Sequence, residues 1–132
     1  MPRPPLPPEL DEFLARANPA VIATVRRDGT PHTAATWYDW QDGRVLVNMD
    51  ESRRRLGYLR ANPNVALTVL DEANWYRHVS LLGRVVSLEE DPDLHDIDRL
   101  SQRYRRRPYP ARDSKRFSAW IEVERWHAWG WG

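Results

Sequence analysis

Two short turn signals near the start of the chain, Arg27-Asp28-Gly29-Thr30 and Gln41-Asp42-Gly43, constrain most of what it can fold into. Each sets a glycine after an aspartate, a pairing that reverses a strand within a few residues because glycine tolerates positive φ. Strand-like residues flank both turns: Ala20 to Val25, then Pro31 to Trp40, then Arg44 to Met49. Runs joined this tightly pair antiparallel, since a parallel pair needs a crossover of about a dozen residues or more. The chain therefore opens as a three-stranded meander.

Three more strands follow on the same grounds. Val65 to Leu70 alternates, Trp75 to Leu88 is long with Gly83 at a bulge or bend, and Phe117 to Glu124 places Phe117, Ala119, Ile121 and Val123 on one side. Three helices are predicted between them. The first runs from Pro8 to about Ala17 with Leu10, Phe13, Leu14 and Ala17 on one face. The second is capped by Asp50 or Ser52, carries Leu56 and Leu59, and stops at Pro63. The third opens on Asp91-Pro92 and reaches about Tyr104, with Leu94, Ile97 and Leu100 inward. Six short antiparallel strands with helices placed between them give an α+β, mainly β architecture, a small closed or half-closed barrel. A chain of 132 residues holds one such core. It divides into a flexible proline-rich lead-in, residues 1–7, and a single domain over residues 8–132.

Composition excludes several function classes. With 20 basic residues against 19 acidic ones, the molecule has no net field to draw nucleic acid or a membrane surface. The absence of cysteine removes disulfides and thiolate metal sites. His32, His78, His95 and His127 stand at spacings that no metal motif uses, so no metal is expected. There is no apolar run long enough for a membrane span and no secretory leader pattern, and a cytoplasmic location is the expectation. Nucleophile elbows, Walker sequences, dinucleotide-binding glycine motifs and zinc-protease motifs are all missing, so no catalytic residue is assigned. If the protein is an enzyme, a cofactor supplies its reactivity.

Within this plain background one stretch is anomalous. Arg53, Arg54 and Arg55 occupy the first turn of the second predicted helix. A helix N-terminus carries roughly half a positive charge and unsatisfied N–H groups, so cations there oppose the dipole by up to about 1 kcal/mol each. A phosphate or carboxylate held by N–H groups and guanidinium forks would resolve the conflict. On charge alone, a solvated basic patch answered by Asp50 and Glu51 fits equally well. The seven tryptophans exceed what a small core needs, and an indole serves either as packing or as a platform for a flat ligand.

The order of segments carries more than any one of them. Ala-Val-Ile-Ala-Thr-Val-Arg-Arg-Asp-Gly-Thr-Pro-His at 20–32, Arg-Val-Leu-Val-Asn at 44–48, Arg-x-Arg at 53–55 with Leu-Arg-Ala-Asn-Pro-Asn-Val-Ala-Leu at 59–67, and Gly-Arg-Val-Val at 83–86 resemble the pyridoxamine 5'-phosphate oxidase-like split-barrel proteins. More narrowly, residues 96–104 and 121–130 are similar to the deazaflavin-dependent branch, which uses coenzyme F420. The resemblance spans about residues 8 to 130. It implies a six-stranded antiparallel split β-barrel with peripheral helices, a homodimer with cofactor at the subunit interface, and hydride transfer from reduced deazaflavin to a small organic acceptor such as an activated alkene or quinone. FMN in place of F420, or binding of either ring without turnover, are the alternatives. By position, the resemblance implies phosphate contacts from Arg53 and Arg55, ring-lining roles for His32, Thr36 and Trp37, and a ribityl or phosphate contact from Asn48. Arg53, Arg54 and Arg60 would offer positive charge to the acidic tail of the deazaflavin; the basic loop Arg105 to Arg107 is in reach of the same tail, but a charge run of this kind is usually a solvated face, and that is the expectation for it. Trp75, Tyr76 and Arg77 would close the pocket from the other subunit.

Overall fold

The computed structural model describes residues 1–131. Its elements run α1 (Pro8–Leu14), β1 (Ala20–Val25), β2 (Pro31–Thr36), β3 (Asp39–Gln41), β4 (Arg44–Asp50), α2 (Arg54–Ala61), β5 (Asn64–Leu70), β6 (His78–Glu90), a 3-10 turn (Pro92–Leu94), α3 (His95–Arg105) and β7 (Arg116–Trp129). All pairings are antiparallel, in the order β2-β1-β5-β6-β7-β4-β3.

There are seven strands where six were expected, because the predicted run from Pro31 to Trp40 breaks at Trp37-Tyr38. Side chains from α3 take over the backbone groups there: the Tyr104 hydroxyl is 3.3 Å from Tyr38 N–H, and Arg103 Nε donates to Tyr38 C=O at 2.8 Å. The break has a geometric result. β2 and β3 lie at opposite edges of the sheet, yet only two residues join them. Two residues reach at most about 11 Å, whereas a flat seven-stranded sheet would hold its edges about 29 Å apart. The sheet must therefore roll until its edges approach. Among the described residues no ladder joins β2 to β3, so the barrel is not closed.

The core fills this roll. Val45, Val47, Ile22, Leu67, Val69, Val79, Leu81 and Ile121 point inward from the strands, with Phe13 and Leu14 of α1 and Leu56 and Leu59 of α2 packed against them. α1 is shorter than predicted, ending at Leu14, where the Tyr38 hydroxyl donates to the carbonyls of Leu14 and Arg16. The lead-in, expected to be loose, is bonded to β7: Pro2 C=O accepts from Trp126 N–H at 3.0 Å and Arg3 C=O from the Trp126 indole at 3.3 Å. No helix among the described residues is long and apolar enough to cross a membrane.

Gly83 sits at the register shift between β6 and β7. A Cβ at this position would lie 2.3 Å from the Glu122 carbonyl oxygen, a backbone atom that cannot step aside. Gly83→Ala is expected to cost about 2 kcal/mol or more through overpacking, measured as a drop in urea midpoint with an unchanged m-value. A variant as stable as the parent would show that the two strands separate freely at this point.

Candidate functional site

Four alanines, Ala17, Ala20, Ala34 and Ala35, set the shape of the site. β2 alternates exposed and half-buried residues, so His32, Ala34 and Thr36 share an incompletely covered face, while Ala17 and Ala20 line the same space. The small side chains leave a cavity of about 970 Å³ between β2, the start of α2, α3 and the head of β7. One side of it is strongly basic. Arg53, Arg54, Arg55, Arg105 and Arg116 line it, against a single carboxylate, Glu72.

The α2 terminus sharpens the conflict seen in the sequence. Neither Asp50 nor Ser52 caps the helix, contrary to expectation: Arg53 is the N-cap residue, without a side-chain cap. The Asp50 carboxylate is turned away from the helix start, Oδ1 accepting from the backbone N–H of Ser52 at 2.8 Å and from the Ser52 hydroxyl, and Oδ2 lying 3.9 Å from Arg116 Nη1. The first turn holds no acidic residue. Arg55 is half-buried, and its Nε is covered and meets no acceptor. Burial, with the charges of Arg53 and Arg116 beside it, pushes the Arg55 guanidinium below its ordinary range. Desolvated, repelled by two like charges and short of acceptors, this group is poised for an anion.

Arg116 is the second cation of the pair. It is 8% exposed and opens β7, opposite Asp50 in register. Its Nε donates to Asn48 Oδ1 at 2.7 Å, and the Asn48 amide donates in turn to Asp91 Oδ2 at 3.1 Å and Ser118 Oγ at 3.0 Å. Ser118 Oγ donates to Asp96 Oδ2 at 2.7 Å, while the Asp91 carboxylate accepts the N–H groups of Asp96 and Ile97, both at 2.9 Å. Asp91 thus satisfies the start of α3 as predicted, although a 3-10 turn intervenes. Both ends of the Asn48 amide are used by protein groups. Its part is to fix Arg116 rather than to reach a ligand directly.

An aromatic wall faces the arginines. Trp37 lies nearly parallel to Tyr104, with ring centroids 5.5 Å apart, and Tyr109 meets Trp37 edge-on at 6.2 Å. The Tyr104 hydroxyl donates to Asn18 C=O at 2.7 Å, and burial raises its pKa. His32, half-buried with its Nδ1 covered and unpartnered, meets the Tyr58 ring edge at 5.6 Å.

His32, Thr36, Trp37, Asn48, Arg53, Arg54 and Arg55 therefore converge on one cavity. Arg60 does not line it and lies over Phe117 at 5.0 Å. Trp75 and Tyr76 stack on each other in an exposed turn, centroids 4.3 Å apart, and Arg77 lies over Trp131 at 4.2 Å, all away from this cavity. Sequence reasoning missed Arg116, Tyr104 and Tyr109. A signal for Arg116 existed: Asn48 and Asp50 end one strand two residues apart, and Arg116 and Ser118 open another at the same spacing. A larger cavity, about 1290 Å³, lies under the lead-in beside Trp40 and β7. None of the buried unpartnered side-chain atoms among the described residues borders it, and the Trp40 indole already donates to Asp11 at 2.6 Å. The basic cavity is the functional candidate.

Residues 6–130 match the family model for pyridoxamine 5'-phosphate oxidase. The chain belongs to that family. No curated protein sequence matches it. Among solved structures it is similar to an F420 reductase, at 29% identity over 92% of this chain and 98% of that one, with a TM-score of 0.84. A conserved hypothetical protein from Mycobacterium tuberculosis is 24% identical over 96% and 86% of the two chains, TM-score 0.74. The heme storage protein HutZ from Vibrio cholerae is 22% identical over 96% of each, TM-score 0.66. The last two share the fold.

Proposed function

We propose that this protein binds coenzyme F420 in the basic cavity and uses its reduced form to reduce a small organic acceptor, such as an activated alkene or a quinone. The observation that carries the reading is Arg55, desolvated beside Arg53 and Arg116 with no carboxylate in its helix turn. The donor set fits a phosphate: guanidinium groups and the residues at the uncapped start of α2 line a cavity large enough for a tricyclic ring. Arg53, Arg55 and Arg116 would hold the phosphate, and the β2 face of His32, Ala34 and Thr36 would lie along the ring. When bound, the reduced deazaflavin supplies the hydride, and the acceptor takes it up with a proton from solvent. The protein's own part is orientation and electrostatics, through fixed guanidinium groups and a rigid aromatic wall.

FMN presents the same ring and phosphate, so these contacts serve it equally. The preference for F420 rests on its acidic tail, which suits the exposed Arg54 and Arg105 at the cavity rim, and on similarity to the F420 reductase. In a homodimer the exposed Trp75 and Tyr76 would cover the partner's cavity, with Arg77 beside them, and Arg60 would stand nearer the tail. A cytoplasmic setting agrees with a reaction that draws on a reduced cofactor.

Equilibrium titration of one preparation with F420 and with FMN tests the assignment. F420 is expected to bind more tightly, with affinity falling as salt rises, and turnover on a quinone and enone panel should require the reduced deazaflavin. Tighter FMN binding with FMN-dependent turnover overturns the cofactor choice. Binding without turnover across the panel favours a carrier. Sedimentation of the same sample reads the oligomeric state, and a monomer that binds F420 fully would remove Trp75 and Tyr76 from the site.

A further inference from the structure

Between α3 and β7, residues 106–115 form neither helix nor strand, yet one residue among them has both of its backbone groups held. Tyr109 N–H donates to Asp98 Oδ1 at 2.9 Å, and Tyr109 C=O accepts from Arg112 Nη1 at 3.0 Å. Arg112 and Asp98 close the ring by a two-pronged pair, at 2.8 and 3.0 Å. Asp98 lies on α3 and does not line the cavity. Pro108 and Pro110 restrict the backbone on either side. An exposed loop has no need of this much fixing for its own sake, so the position of the Tyr109 ring is the feature to explain.

That ring stands at the junction of two chemically different ends of the cavity. On one side the Arg116 guanidinium lies over it, 4.7 Å from the centroid. On the other it meets Trp37 edge-on, and Trp37 is stacked on Tyr104. The basic end is matched by the phosphate of the cofactor proposed above. The aromatic end presents flat, polarisable surface, which takes planar unsaturated molecules, and two of its neighbouring cations, Arg103 and Arg116, lie over the Tyr104 and Tyr109 rings.

We propose that the aromatic end of this cavity, walled by Trp37, Tyr104 and Tyr109, is the subsite for the hydride acceptor and takes a flat conjugated molecule, with Asp98 as the positioning residue that sets the Tyr109 wall. The proposal deepens the reading of the same cavity as a cofactor site and rests on it for the word acceptor. Arg116 supports the wall from beneath, so the two ends share one residue while binding different chemistry.

The probe is 1,4-naphthoquinone, which meets no cysteine thiol in this chain, its binding measured by equilibrium dialysis against the whole protein. F420 affinity is measured on the same preparations. Tyr109→Ala and Asp98→Ala are each expected to weaken probe binding about tenfold, the size of one lost aromatic contact. Tyr109→Phe should keep the parent affinity, and Asp98→Ala should leave F420 affinity within about twofold, since Arg116, the one residue the two ends share, is held by Asn48 independently of the clamp. Failure of the parent to bind the probe, or equal binding by all variants, overturns the subsite. So does a loss in Asp98→Ala that is equally large for F420, which would mark a general loosening. Should the parent bind no F420 while the probe pattern holds, the cofactor reading falls and the planar-ligand subsite stands.

Discussion

Replacing Arg55 with leucine is expected to raise the thermal stability of the ligand-free protein while weakening its grip on anions. Arg55 is folded into a half-buried position where Nε meets no acceptor and Arg53 and Arg116 repel it. Its pKa is depressed in the folded state, so folding disfavours the charged form. For a base depressed in this way the cost is fully present at any pH below the folded pKa, and it is relieved only as pH rises through that value. At neutral pH it is therefore paid in full. A leucine keeps the apolar stem and removes the charge, which should return about 1 kcal/mol, seen as a rise of about 3 °C in Tm for a domain of this size. Loss of one charged hydrogen-bonding group should weaken F420 binding by roughly ten- to a hundredfold. The two melting curves then cross: with saturating F420 the parent gains more than the variant and becomes the more stable protein. A variant that is less stable without ligand, and binds F420 as the parent does, would show that Arg55 is satisfied within the protein and that the anion site lies elsewhere.

The same residue shows how far the sequence alone carries. Three arginines after a strand and before Leu56 were legible as a helix start with the wrong charge, because that conflict is local and follows from spacing. The resolution of the conflict was not local. Whether the arginines face solvent or a cavity depends on β7 arriving beside β4, and that pairing joins Asp50 to Arg116 across more than sixty positions. Arg116 consequently went unassigned in the sequence, when it is the buried head of a strand. The strand count failed for a related reason. Pro31 to Trp40 has no internal turn signal, and the break at Trp37-Tyr38 is made by Arg103 and Tyr104, whose side chains claim the backbone groups that a continuous ladder would have used. Turn chemistry at Gly29 and Gly43, the bulge at Gly83 and the capping role of Asp91 were all readable, since each rests on a few adjacent residues or on one steric requirement.

The largest stability loss of any single substitution considered is expected at Arg103. Its guanidinium reaches from α3 to the end of α1, donating to the carbonyls of Leu14, Ala15 and Arg16 at 3.2, 2.6 and 2.6 Å, while Nε holds Tyr38 C=O at 2.8 Å. These carbonyls stand at and just beyond the end of α1, whose own last turn has no basic residue, and those of Leu14 and Arg16 also accept from the Tyr38 hydroxyl. The group also lies 3.5 Å from the Asp39 carboxylate and 5.0 Å from the centre of the Tyr38 ring, and its side chain is only 15% exposed. It thus ties α1, α3 and the β2–β3 corner together, and that corner is what lets the sheet roll. Arg103→Ala removes four hydrogen bonds at once and takes the guanidinium from the part-buried Tyr38 carbonyl, while the Leu14 and Arg16 carbonyls keep the Tyr38 hydroxyl, a loss of about 3 kcal/mol, or roughly 10 °C in Tm. Arg103→Lys should recover less than half, because a single ammonium cannot span carbonyls arranged for a planar fork. The damage should fall unevenly. Trp37 and Tyr104 flank the corner, so naphthoquinone binding weakens, whereas the Arg53, Arg55 and Arg116 end is held by α2, β4 and β7 and keeps F420 affinity in the fraction that remains folded. Urea titration followed by both binding measurements at low temperature checks each step. A loss below about 1 kcal/mol would mean that water replaces the guanidinium at these carbonyls, and the corner would then need another explanation for its geometry.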